Sequence, residues 1–314
     1  MSNTFFKTYD QVGIKEDISD VISNISPTKT PFQSLLKTER VANRLFQWQE
    51  DSLAAVGNNA QLEGFTASDS TMNPTTMRSN YTQIMAKTVN VSATADTVAT
   101  YGRAKETAYQ LAKKADELKR EFEFHLVGKV QNASAGADGS SARTFANAFG
   151  TDVNSNAVID SSVTTNVGGA LSETAILETA QKMYEAGSEG KYLMIKPADS
   201  LLVAAFPQAA GRYRQFDGAS DKTVVNVVDL YVSPFGEYKV VLNRFMKATE
   251  ALILDPAMWS VAVLRPWTRE LLAKTGDNDR HLIVGEFSLK HRNYKGTGRL
   301  TGLTGSNSTI PTGA

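Results

Sequence analysis

The stretch YGRAKETAYQLAKKADELKREFEFHLVGKV, residues 101–130, decides how this chain is read. Ala104, Ala108, Leu111, Ala115, Leu118, Phe122 and Leu126 recur at steps of three and four, which puts them on one helical face. Lys105, Glu106, Lys113, Asp116, Glu117, Lys119, Arg120 and Glu123 fall on the other face. The spacing predicts a single helix over 101–130. A helix of about 30 residues runs roughly 45 Å, well beyond the usual length in a globular domain.

Upstream, the pattern is extended. Arg44 to Glu50 alternates with Phe46 and Trp48 on one side, and Tyr81 to Thr94 alternates with Met85, Val89 and Val91 on one side. Both read as strands. Between them lies a stretch rich in Asn, Gly, Ser and Thr, with isolated apolar residues at Leu53, Val56, Leu62, Phe65, Met72 and Met77. Loops of that length inside compact domains are uncommon and tend to be functional. Two strands flanking a sparse apolar tip predict a projecting hairpin, which cannot bury its own anchors and so needs a partner surface. Before it, Asp17 is placed to cap a short helix through Ile18 to Ile25, and Thr30-Pro31-Phe32 opens a second turn with proline at its first position.

After the long helix, 133–169 is rich in Gly, Ala, Ser, Asn and Asp and reads as a mobile loop or a boundary. From Leu171 the elements alternate. Ser172 caps a helix through Ile176, Ala180, Met183 and Tyr184 that stops at Gly187, Tyr192 to Ile195 is a buried strand, and Pro197 starts another helix ending near Phe206. Strands follow at Val224–Val232, Tyr238–Leu242, Ala251–Leu254, Met258–Leu264 and His281–Arg292, with a turn at Ser233-Pro234-Phe235-Gly236. Arg265-Pro266-Trp267 ends a strand at a proline and follows it with a tryptophan, the pattern of an anchor into a core or an interface. The tail from Gly296 is rich in Gly, Thr and Ser and is expected to fray.

Composition excludes several functions. Lys plus Arg equals Asp plus Glu at 33 each, without the basic excess of a dedicated nucleic-acid binder. Neutrality suits a protein that packs against many copies of itself. There is no cysteine, hence no disulfide framework, thiolate metal site or cysteine nucleophile. No apolar run is long enough to cross a membrane, and no basic-then-apolar leader opens the chain. The three histidines, His125, His281 and His291, share no metal-ligand spacing. Glu121 and Glu123 diverge on a helix, and Asp277 and Asp279 sit in a turn. The Arg212, Arg214, Lys222, Arg265, Arg269 and Lys274 cluster reads as a solvated face. No catalytic residue, cofactor or metal is therefore expected.

At this point the residues resemble a family. Ser26-Pro27-Thr28, Thr30-Pro31-Phe32, Trp48-Gln49-Glu50-Asp51-Ser52-Leu53, Leu62-Glu63-Gly64 and Asn80-Tyr81-Thr82-Gln83-Ile84 are joined by Tyr101-Gly102-Arg103 and Leu111-Ala112-Lys113-Lys114. Ser233-Pro234-Phe235-Gly236 and Arg265-Pro266-Trp267 complete the set. In this order the strings resemble the major capsid proteins of tailed bacteriophages, which implies the HK97-like fold, of the α+β class. The resemblance implies an N-terminal arm at 1–40 and an extended hairpin loop at 41–94. It implies a peripheral domain at 95–170 containing a spine helix at about 101–130, an axial domain at 171–254, peripheral-domain strands at 255–300 and a flexible tail at 301–314. It further implies a structural protein, not an enzyme, that self-assembles as pentamers and hexamers into an icosahedral head around double-stranded DNA. Its inner face would contact the DNA without specificity, assembly would take place in the host cytoplasm, and no membrane would be involved. Portal and decoration proteins would be further partners. The short stretch before the hairpin favours a separate scaffolding protein, and no motif assigns a cross-linking Lys–Asn pair. Phe46, Trp48, Leu62, Phe65 and Trp267 are the candidate residues of the subunit interface. Two other readings are a phage tail or head-decoration protein and a soluble α/β enzyme or binding domain built on 171–254.

Overall fold

The computed structural model describes residues 28–67, 69, 72–98, 102, 104–138, 140–206 and 230–304. The expected helix at Ile18–Ile25, the first part of the strand at Val224–Val232 and the chain past Thr304 lie outside the described residues.

A short helix, α1 (Pro31–Leu35), opens the described chain, with Pro31 at the position where a missing N–H costs nothing. Phe32 from this turn is fully buried and meets Trp259 edge-on at 5.8 Å. Then come β1 (Lys37–Arg40) and β2 (Leu45–Glu50). The strand expected from Tyr81 to Thr94 is β4 (Gln83–Ser92), followed by a helical turn, α2 (Ala93–Thr97), and a further strand that the sequence reading did not find, β3 (Thr76–Tyr81), precedes it. The hairpin partner of β2 is β3, paired from Leu45↔Tyr81 to Glu50↔Thr76, while β4 joins another sheet. Between the two strands Thr82 donates its backbone N–H to the Arg44 carbonyl at 2.8 Å and its hydroxyl to Glu286 Oε1 at 2.6 Å, a long-range contact that local pattern does not reveal.

The long helix, α3, spans Glu106–Val127, 22 residues or about 33 Å, shorter at both ends than expected. Gly102 takes φ 75°, outside the helical region, and Asp96 of α2 accepts from Thr107 N at 3.0 Å to close the helix start. At the other end Asn147 accepts from Gln131 N and donates to the free carbonyls of His125 and Lys129, at 3.0 and 2.6 Å. Leu118, Phe122 and Leu126 are buried as the periodicity requires, but Ala104 lies outside the helix and Ala108 is exposed. Glu123, expected on the solvated face, is completely buried. Its carboxylate takes donors that the rest of the chain brings to that side of the helix.

Two sheets share one core. The first has strand order β1-β10-β11-β4, where β10 is Trp259–Leu271 and β11 is Asn278–His291. The strand expected to stop at Leu264 runs on through Pro266. Two register shifts, at Val263/Arg265 and Arg265/Thr268, bracket the proline, so its missing donor falls where the ladder is already broken. Helix α3 lies against β4 and β11, with Phe122 5.4 Å from Phe287 and 6.3 Å from Phe145. The segment 133–169 is not a loose boundary: Phe145, Ala148, Phe149, Ile159 and Val163 are buried in the main core. Its polar composition concealed these few apolar residues.

The second sheet has the order β5-β12-β9-β6-β8-β7. Its strands are β5 (Thr164–Asn166), β6 (Tyr192–Ile195), β7 (Leu230–Ser233), β8 (Gly236–Leu242), β9 (Glu250–Leu254) and β12 (Thr297–Thr301). Helix α4 (Glu173–Glu185), capped by the Ser172 hydroxyl as expected, packs on β5 and β12, and α5 (Pro197–Ala204) follows β6. Every residue of β9 is buried. The tail expected to fray from Gly296 instead supplies β12, held between β9 and β5. Small residues at Gly298 and Thr297 let this strand lie flat in the interior, which a hydropathy reading takes for looseness.

Candidate functional site

The projecting hairpin is the feature that has no internal explanation, and its chemistry begins at the root. In β2, residues two apart share a face, so Phe46, Trp48 and Glu50 point the same way. Phe46 and Trp48 stack with ring centroids 5.6 Å apart and planes at 22°. Phe46 is buried within its own subunit and Trp48 is half-buried. Glu50 is buried beside them, and a carboxylate there must be paired. Arg78 of β3, opposite Trp48, does this: its Nε donates to Glu50 Oε2 at 3.0 Å, and its Nη1 lies 3.5 Å from Asp152 Oδ2. The guanidinium also lies over the Tyr294 ring, 4.3 Å from its centroid, and Tyr294 N donates to Glu50 Oε1 at 3.0 Å. Burial pushes the Glu50 carboxyl above its ordinary range, with Arg78 pulling the other way.

Two further layers hold the root. Asn80 donates to the carbonyls of Ala146 and Leu289, at 3.0 and 2.7 Å, and accepts from the backbone N–H of Ala146 and Tyr81. Below it His291 stacks on Trp259 at 3.9 Å. His291 Nδ1–H donates to the Val158 carbonyl at 2.7 Å, which leaves Nε2 to accept from the Thr297 hydroxyl at 3.2 Å. Thr297 in turn accepts from Trp259 Nε1 at 2.8 Å. Burial lowers the His291 pKa to about 4, so the ring is neutral near pH 7. The cavity lined by Trp48, Glu50, Arg78, Asp152, His291 and Tyr294 is about 20 Å³, room for roughly one water and no metabolite. Among the described residues no group of His, Asp and Glu is placed to hold a metal ion.

Beyond this root the hairpin changes character. Every described residue from Asp51 through Met77 is exposed. Leu53 is 99% exposed, Val56 104%, Leu62 85%, Phe65 58% and Met72 88%. A 25-residue segment doubled back on itself reaches about 40 Å at most. Covering these five side chains would contribute on the order of 10 kcal/mol before the costs of association.

The structure thus brings Phe46 and Trp48 together and leaves Leu62 and Phe65 in solvent. Trp267 is elsewhere: half-buried on β10, it lies 4.6 Å from the Phe287 ring. Gly285 makes that contact possible, since a Cβ there would come within 2.4 Å of Phe287 and 2.7 Å of Trp267. Sequence reasoning missed Glu50, Arg78, Asp152 and Tyr294. A glutamate two residues past Trp48, on the apolar side of the strand, was the available signal.

Known proteins place this architecture. The SU10 major capsid protein family matches residues 1–304. The chain is 34% identical over 341 aligned positions to the major capsid protein of Escherichia phage Phieco32, covering 95% of this chain and 96% of that protein. Solved structures share the fold at low identity. The capsid asymmetric unit of Cyanophage A-1(L) is 13% identical, with 95% of this chain and 98% of that one covered and a TM-score of 0.69. The capsid of a native GTA particle is 10% identical, with 92% and 95% covered and a TM-score of 0.62. With its HK97-like fold, the chain belongs to the SU10 major capsid protein family.

Proposed function

We propose that copies of this chain assemble through pentamers and hexamers into an icosahedral phage head enclosing double-stranded DNA, with the hairpin of each copy lying on its neighbour. One observation carries the reading: a segment with five exposed apolar side chains is mounted on a root with buried ionic and hydrogen-bonded contacts. A rigid root with an unsatisfied tip is suited to reaching another subunit. Of the candidate interface residues, Leu62 and Phe65 have the most surface left to bury on docking; Phe46 is already covered, and it and Trp48 hold the hairpin at its base. Trp267 is the outlying interface candidate, through the half of its ring that Phe287 leaves open.

In this reading residues 1–40 are the arm and 41–94 the hairpin. Helix α3 with the four-stranded sheet forms the peripheral domain, and 171–254 forms most of the axial domain. The role is structural, in the head of the virion, after assembly in the host cytoplasm. Portal, scaffolding and decoration proteins are the further partners, and the inner face meets DNA without sequence preference. Deletion of Leu53–Met77 tests the reading. The subunits should stay soluble and folded by circular dichroism but yield no shells; normal shells from the deleted chain would sink it.

A further inference from the structure

Glu123 lies in the middle of α3, and nothing about the hairpin uses it. It is completely buried, and its carboxylate draws three elements together. Oε1 accepts from Phe32 N at 2.8 Å and from Asn243 Nδ2 at 2.6 Å, and Oε2 accepts from Gln33 N at 2.8 Å. The two backbone donors belong to the first turn of α1, where no intrahelical partner exists, and Thr30 provides no side-chain cap. Asn243 follows β8 and touches Met194 Sδ of β6 at 3.5 Å. Phe32 and Leu35 pack on the core and β1 pairs with β10 just beyond, while this carboxylate is the polar tie at the first turn of α1.

We propose that Glu123 is the positioning residue of the N-terminal arm: reaching out of α3, its carboxylate holds the turn Pro31–Leu35 and so fixes the direction in which the chain enters that turn at Thr28–Thr30. The consequence for assembly rests on the capsid reading; the latch itself does not. Burial raises the Glu123 carboxyl above its ordinary range and outweighs its three donors. The groups facing it are neutral: two backbone N–H from α1 and the Asn243 carboxamide, with no charged side chain among those that shift it. A docked carboxyl that holds its proton more tightly than a solvated one favours docking at low pH. The latch therefore loosens as pH rises through the docked value.

Hydrogen exchange on the full-length, unassembled chain, corrected for intrinsic rates and followed across pH, tests this. The Phe32 and Gln33 amides should be protected, and less so as pH rises. Glu123→Ala should speed their exchange at least tenfold while Ile253 and Leu289 stay unchanged. Glu123→Gln keeps the side-chain volume but sets an NH₂ against one N–H donor. It should fall between the two and lose the pH dependence. Unchanged protection in both variants, or a loss shared equally by Ile253 and Leu289, would overturn the latch. Shell yield read in parallel should fall in Glu123→Gln, and normal shells from that variant would overturn the positioning role. Absence of shells from the unsubstituted chain would overturn the capsid reading, while exchange at Phe32 and Gln33 would still decide the latch.

Discussion

The buried polar side chains of this protein make definite energetic statements. His291 has a folded pKa of about 4 against 6.5 for a free imidazole. Its folded form therefore binds the proton less well than the unfolded one, and stability falls as pH drops from about 6.5 through 4. The contribution at stake is on the order of 3 kcal/mol for this fully buried ring. Nitrogen-detected NMR should find His291 neutral and protonated on Nδ1 down to about pH 4; titration near 6.5 would contradict the Val158 and Thr297 contacts. Arg78 presents the complementary case, a cation whose removal leaves Glu50 and Asp152 buried with one partner fewer. Arg78→Met should cost about 3–5 kcal/mol in denaturant unfolding. A cost below about 1 kcal/mol would show that the root is not held by this pair.

At the level of elements, periodicity found what it is able to find. Helix α4, with its Ser172 cap, and strands β6, β8 and β9 stand close to where their patterns put them, because each is short and bounded by its own cap or turn residues. The failures share a cause: the deciding contact is far away in sequence. Thr82 breaks the strand at β3/β4 by bonding Glu286, and Glu123 faces inward because Phe32 and Asn243 arrive there. Thr297–Thr301 orders only because β9 and β5 flank it. Of the candidate interface, the exposure of Leu62 and Phe65 was legible from their sparse polar surroundings, whereas the clamp at the root was not. Gly285 tests the packing of β10 on β11. Gly285→Ala should destabilise the subunit by about 1–3 kcal/mol, since Trp267 and Phe287 must both move. An unchanged melting temperature would mean the two rings give way freely.

For the whole molecule, the division of labour is between a single shared core and a surface left incomplete. Both sheets, α3 and the segment 133–169 contribute to one hydrophobic cluster within the subunit body. In the proposed shell the hairpin tip finds its cover on the adjacent copy, and repetition of that contact turns modest individual interfaces into collective stability. Balanced charge, 33 against 33, keeps repulsion between neighbouring copies small. Electron cryomicroscopy of the assembled full-length protein, prepared alone and with a co-expressed scaffolding protein, tests this most directly. The account predicts closed shells, tubes or capsomer rings in which Leu62 and Phe65 of each copy are covered by the adjacent subunit. A clean monomer under both conditions, or an assembly in which residues 51–77 remain in solvent, would contradict it.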